Sequence, residues 1–296
     1  MHRRGDKMAF QSFQEILKLC EKENWEFWEA VARDDQNERG VPPDEAFEKM
    51  RRMWRVMVES SENYDSERRS NSGLVGGDGG RMFRYAQDRE PLSGYFMGEV
   101  IAQALCMGES NACMRRIVAA PTAGACGVLP AVLIPLWKKE ELPEEEIVRA
   151  LYTAAGIGQV IAARAYIAGA SGGCQAEIGT ASAMAAGALV QLRGGDGVQI
   201  THAAAMALKN LLGLVCDPVA GLVEVPCVKR NVAGAVNALA AADMSLAGIV
   251  SQIPPDQVVD AMKEVGDAMD SSLKETGKGG LAATPRGKSV KISCRI

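Results

Sequence analysis

Between residues 154 and 190 the chain gives 20 of 37 positions to alanine and glycine, thirteen to the first and seven to the second. Alanine is the best helix former, and glycine lacks the Cβ that keeps two helix axes apart. A second stretch, 231–248, has seven alanines in 18 residues. Long β-branched runs of strand type are nearly absent. These features predict an all-α fold, a compact bundle of small-residue-rich buried helices with cysteine-bearing loops between them. Arg164, Gln191 and Asp243 interrupt the small apolar runs. None therefore reads as a span of about 20 apolar residues, the length a bilayer requires.

The first 60 residues have a different texture. Phe10, Phe13, Leu17 and Cys20, then Trp25, Trp28 and Val31, recur at helical spacing. Pro42 and Pro43 open a further helix through Phe47, Met50, Trp54, Met57 and Val58. We read 9–60 as an N-terminal helical arm. The Ser-, Gly- and charge-rich stretch 61–80 reads as a flexible linker, and 81–296 as the main domain. Lysine plus arginine total 33 against 37 acidic residues, a net charge of -4. No basic excess exists to displace counterions, which argues against nucleic acid as a partner. The N-terminus lacks the apolar stretch of a secretory signal, so a cytoplasmic protein with no membrane association is expected.

Eight cysteines accompany only two histidines, His2 and His202. Disulfides are improbable in a reducing compartment. So little histidine leaves thiolate as the natural ligand for any metal. Three cysteines lie beside chain breakers: Cys174 after Gly172-Gly173, Cys216 before Asp217-Pro218, and Cys227 after Pro226. Loops between rigid helices can aim sulfur inward toward a metal. Buried thiols near turns are equally compatible with those positions.

Two familiar motifs fail on context. Gly169-Ala-Ser171-Gly-Gly173 fits G-x-S-x-G, and Asp196 and His202 follow in hydrolase order. That nucleophile elbow needs a preceding strand, and the segment before it reads as helix. Gly287-Lys288-Ser289 resembles the end of a phosphate loop, but Ala282 stands where its first glycine belongs. The glutamates around Pro143 read as a solvated helix start.

Four segments together resemble one family. They are Pro121-Thr-Ala-Gly-Ala-Cys-Gly127, Gly169-Ala-Ser-Gly-Gly-Cys-Gln-Ala-Glu177, Cys216-Asp-Pro-Val-Ala-Gly-Leu-Val-Glu-Val-Pro-Cys227, and Gly279-Gly-Leu-Ala282 with Cys294. They resemble the iron–sulfur-dependent L-serine dehydratases (L-serine ammonia-lyases), in the α chain of the two-subunit form. The resemblance implies a 4Fe–4S cluster and no pyridoxal phosphate. It implies Cys174, Cys216 and Cys227 as ligands, with Cys294 reaching the fourth iron. It also implies L-serine as substrate, an oligomer, and a β chain whose Ser-His-Thr motif supplies the general base. No such motif occurs in this chain, and His202 sits in Ile-Thr-His-Ala-Ala-Ala. The catalytic base is thus unassigned here and expected on the β chain. Thr122 and Gly124 are candidates for holding the substrate carboxylate through backbone amides, or they form a helix-capping turn. Arg230 is a weaker carboxylate candidate, as is Lys288. Cys20, Cys106, Cys113 and Cys126 match no ligand position. A non-catalytic iron–sulfur sensor, or a lyase for another β-substituted amino acid, would share these features.

Overall fold

The computed structural model describes residues 10–290 and is all-α. Four helices lead into the bundle: α1 (Phe13–Glu23), α2 (Phe27–Arg39), α3 (Pro43–Glu62) and α4 (Asp78–Asp88). The stretch 10–33, which reads as continuous helical spacing, is two helices. Asn24 ends α1 in the left-handed conformation at φ 55°, which asparagine tolerates better than other residues that carry a Cβ. The bundle proper comprises α5 (Tyr95–Ala112), α6 (Val128–Glu140), α7 (Glu144–Arg164), a single turn α8 (Gly169–Gly172), α9 (Thr180–Leu192), α10 (Gly197–Lys209), α11 (Cys227–Leu246) and α12 (Pro255–Ala268). A short α13 (Pro285–Ser289) closes the described chain.

Helix α9 is the axis of the molecule. Every residue from Thr180 to Val190 is buried, and α6, α7, α10 and α11 pack around it. A helix buried on all sides needs small residues, and their effect can be measured. A Cβ built on Gly187 would stand 2.1 Å from Ile157 Cδ1, and one on Gly156 would stand 2.3 Å from Val31 Cγ2. Glycine is what lets α7 approach α9 on one side and α2 on the other. Among the described residues no helix is long and apolar enough to cross a membrane.

The N-terminal helices join the same core. Phe13, Ile16, Phe27 and Trp54 are buried in it, and Trp54 meets Trp137 edge-on at 5.5 Å. The two carboxylate oxygens of Asp256 on α12 accept from Phe13 N at 2.8 Å and Gln14 N at 3.2 Å. They satisfy amide groups that a helix start leaves unpaired. Residues 63–77 hold no helix but are tied down by side chains. Tyr64 donates to Glu109 at 2.5 Å, and Ser70 donates to the buried Glu224 at 2.8 Å, as Ser72 also does.

Helix α10 begins with a reciprocal cap. Asp196 Oδ1 accepts from Gln199 N at 2.8 Å, and Gln199 Oε1 accepts from Asp196 N at 3.1 Å. Asp196→Ala is expected to lower stability by about 1 kcal/mol. The urea midpoint measures it, and Asp196→Ser should recover most of the loss.

Candidate metal centre

Three loops and one helix start meet at one site. The first carries Cys174. Gly173 precedes it at φ +78°, with Leu214 O only 2.9 Å from where a Cβ would sit, so the turn has room for glycine alone. Gln175, fully buried, then locks the segment: its backbone N–H donates to Leu214 O at 2.9 Å, its Nε2 to Met262 O at 3.0 Å, and its Oε1 accepts from Gly213 N at 2.9 Å. Residues Gln175–Gly179 form a π-turn at the head of α9. Such turns are frequent at functional sites because they re-aim side chains within a helix. Here Cys174 and Glu177 are brought to one side.

The second loop carries Cys216, held by the C-terminal segment. Its N–H donates to Leu273 O at 2.8 Å and its carbonyl accepts from Glu275 N at 2.7 Å. The pairing is a single parallel β-bridge between Cys216 and Lys274. Asp217 extends the latch. Its Oδ2 accepts from Leu281 N at 2.7 Å and its Oδ1 from Arg230 Nη2 at 2.8 Å. Gly280 lies so close that a Cβ there would be 2.3 Å from Asp217 Oδ2.

Cys227 is the first residue of α11, directly after the cis-proline Pro226. The third loop, 121–127, is stapled to it by Asn231. Asn231 Nδ2 donates to Cys227 O at 2.9 Å and to Gly124 O at 2.8 Å, while its Oδ1 accepts from Gly127 N at 2.8 Å. Gly124 lies against Glu177, whose carboxylate would stand 3.4 Å from a Cβ there.

The Cys174 sulfur, a Glu177 carboxylate oxygen and the Cys216 sulfur lie within 4.8 Å of one another. Cys227 falls outside that tight set but feels its charge. Burial, with the Cys174 and Glu177 charges adding to it, pushes the Cys227 thiol up to about 12. The Cys216 thiol donates to Cys174, which lowers the Cys174 pKa against the opposing effect of burial; the Arg230 cation lowers it further. The same hydrogen bond, with burial second, raises Cys216. Of the three site thiols, Cys174 alone has its pKa lowered. Burial raises the Glu177 carboxyl, opposed by the nearby Thr122 hydroxyl. Thr122 Oγ1 is itself buried with no partner at good hydrogen-bonding geometry.

This donor set can hold a metal. Two close sulfurs, a third at the neighbouring helix start and an adjacent arginine suit a thiophilic, net-negative centre. The four other cysteines of the described chain differ. Burial raises the thiol pKa of Cys20, Cys106, Cys113 and Cys126, as it does at Cys227, but none of the four joins a group of close donors among the described residues. All seven described cysteines are unpaired. Cys294, the remaining expected ligand, lies outside the described residues.

The other sequence candidates separate clearly. Thr122, Gly124 and Arg230 lie at the site. Arg230 is largely buried and spends Nη1 on Val215 O at 2.7 Å and Nη2 on Asp217. Lys288 is exposed on α13. His202 Nδ1 accepts from Ser251 N at 3.0 Å, and Asp196 caps α10. Both are thereby engaged away from Ser171, and no strand precedes that serine, so the hydrolase geometry is absent among the described residues. The sequence reading assigned no role to Glu177, Asp217 or Asn231. The first two stand three residues and one residue after a cysteine, a signal that was available.

The family model described as serine dehydratase alpha chain matches residues 22–282. The chain belongs to that family. It is 43% identical over 282 residues to a probable L-serine dehydratase alpha chain of Bacillus subtilis, covering 95% of this chain and 94% of that one. It is 40% identical to the L-serine dehydratase alpha chain of Peptoniphilus asaccharolyticus, with 94% and 96% covered. It is also 38% identical to an L-serine dehydratase of Mycobacterium bovis, where 93% of this chain covers only 61% of the longer protein.

Proposed function

We propose that this chain is the cluster-binding α subunit of an L-serine dehydratase, which eliminates water from L-serine to give pyruvate and ammonia without pyridoxal phosphate. The meeting of Cys174, Cys216 and Glu177 within 4.8 Å, inside this family's chain, carries the reading. Cys174, Cys216 and Cys227 would hold a 4Fe–4S cluster, with Cys294 as a fourth thiolate in the resting state. When bound, that cluster supplies Lewis acidity toward a poor hydroxide leaving group.

The chain's own residues do the rest of the positioning. Arg230 offsets the negative charge that thiolates bring into a buried site. The Thr122–Gly124 turn, fixed to α11 through Asn231, offers backbone amides to the substrate carboxylate. Among the described residues no histidine reaches the site; His202 is engaged with Ser251 N. A second chain bearing the base is the natural complement, because the stretch of the longer Mycobacterium bovis relative that is similar to this chain makes up only 61% of its length. Loss of the α-proton and the β-hydroxyl gives aminoacrylate, which tautomerises to the imine and hydrolyses without catalysis.

The test is pyruvate formation from L-serine by anaerobically reconstituted protein, alone and with its partner chain. The partner should raise turnover by about 10² to 10⁴, the usual contribution of a general base. Full turnover by this chain alone would place the base within it. Turnover of L-threonine or L-cysteine in preference to L-serine would make it a related lyase, and cluster binding with no turnover a sensor.

A further inference from the structure

We propose that Glu177 is the specificity-determining carboxylate of this site, the group that receives the α-ammonium of the substrate. The inference rests on the reading of the site as an amino-acid-eliminating centre and deepens it. An amino acid enters as a zwitterion. A buried site must supply a partner for each of its charges, since an unpaired buried charge is costly. The carboxylate has amide donors in the Thr122–Gly124 turn. The ammonium needs an anion close to whatever holds the β-hydroxyl, because only three bonds separate that nitrogen from the hydroxyl oxygen.

The acidic residues around the centre reduce to one. Asp217 gives one oxygen to Arg230 and the other to Leu281 N. Glu224 accepts from Ser70 and Ser72. Glu275 is exposed and serves through its backbone N–H. Glu177 lies within 4.8 Å of both sulfurs, and among the described residues no cation forms an ion pair with it. Glycine backbone borders its carboxylate on two sides. A Cβ at Gly169 would sit 3.0 Å from Oε2 and one at Gly124 3.4 Å from it. The buried, unpartnered Thr122 hydroxyl stands beside it. The surroundings therefore present a half-buried carboxylate with the Thr122 hydroxyl and the Gly169 amide as neighbours and no counter-charge, which is what an incoming ammonium would complete.

The test compares L-serine with 3-hydroxypropanoate, which keeps the hydroxyl and the carboxylate and lacks the ammonium. Binding to the anaerobic holoprotein with its partner chain is measured by calorimetry, alongside iron and sulfide content. Glu177→Gln should weaken L-serine by about 10- to 100-fold, the range of a charge-assisted hydrogen bond. It should leave 3-hydroxypropanoate and the iron content unchanged, and Glu177→Asp should restore part of the serine affinity. Equal weakening of both ligands would make Glu177 merely structural, and loss of iron would make it a metal ligand; either overturns the proposal, as does unchanged serine binding. A wild-type protein that turns over serine yet binds both compounds equally also overturns it while leaving the dehydratase reading intact. Wild type that binds neither compound defeats both.

Discussion

Cys216→Ala is expected to abolish serine turnover and to strip the protein of iron and sulfide while leaving the helical fold in place. Cys216 has a combination of three properties that no other described cysteine has. It is buried, its sulfur lies within 4.8 Å of two further donors, and its backbone is clamped on both sides by the C-terminal segment. The clamp uses the N–H and C=O of residue 216, so alanine preserves it and removes only the sulfur. Changes in groups that merely orient a ligand typically cost 10–100-fold in metal affinity or activity. Removing a ligand should exceed that, and we expect at least about a hundredfold loss. Cys126→Ala is the control. Its thiol is fully enclosed, points toward Met107 O at 3.7 Å, and has a pKa pushed up to about 12 by burial. That variant should keep its iron. Anaerobic iron and sulfide analysis with visible absorbance reads both, and full cluster content in Cys216→Ala would remove Cys216 from the ligand set.

The helical class was legible in the sequence because one physical demand, close approach of buried helices, selects one residue type. Gly156 and Gly187 stand where side chains would collide with Val31 and Ile157, and the alanine runs mark the helices that carry them. The meeting of Cys174 with Cys216 was legible from the resemblance, while their positions beside chain breakers left it open. The polar groups that shape the site were not. Asn231 holds Gly124 and Gly127, more than 100 residues earlier in the chain, and Asp217 holds Leu281, 64 residues later. Their partners are backbone atoms, which every residue type offers equally, so no pattern of side chains announces the pairing. Ser70 and Ser72 show the same limit. In a polar stretch they look solvated, yet both reach the buried Glu224 just before Cys227. Glu177 was hidden differently. Its meaning depends on the π-turn that carries it, a feature of backbone winding with no residue signature of its own.

The latch at Asp217 should carry the largest single polar contribution to stability in this part of the protein. Asp217→Ala leaves Arg230 with Val215 O and the Cys174 sulfur but no carboxylate, in a setting where its side chain is 15% exposed. It also leaves Leu281 N without its acceptor. Breaking a buried ion pair from one side costs about 3–5 kcal/mol. The partial exposure of Arg230 places the expected loss near the lower end, at about 3 kcal/mol. The damage should also be directional. Once Leu281 is released, the segment 279–283 keeps few backbone bonds to the Cys216 loop, so its amide protons should exchange faster, whereas those of α9 should not. Asp217→Asn separates the two effects: its oxygen can still accept from Leu281 N while the charge opposite Arg230 is gone. We expect it to retain most of the exchange protection and to lose about half of the stability that Asp217→Ala loses. The double variant Asp217→Ala/Arg230→Met removes the cation that has lost its carboxylate as well and should recover stability relative to Asp217→Ala alone. If the double variant instead loses the sum of the two single effects, the pair is not coupled and Asp217 acts through Leu281 alone. Because the same aspartate directly follows Cys216 and binds the arginine that lowers the Cys174 pKa, the variant also tests whether fixing the C-terminal segment and charging the centre are one device. Loss of iron affinity in parallel with loss of exchange protection is the expected result, and protection lost with iron affinity unchanged would show them to be separate.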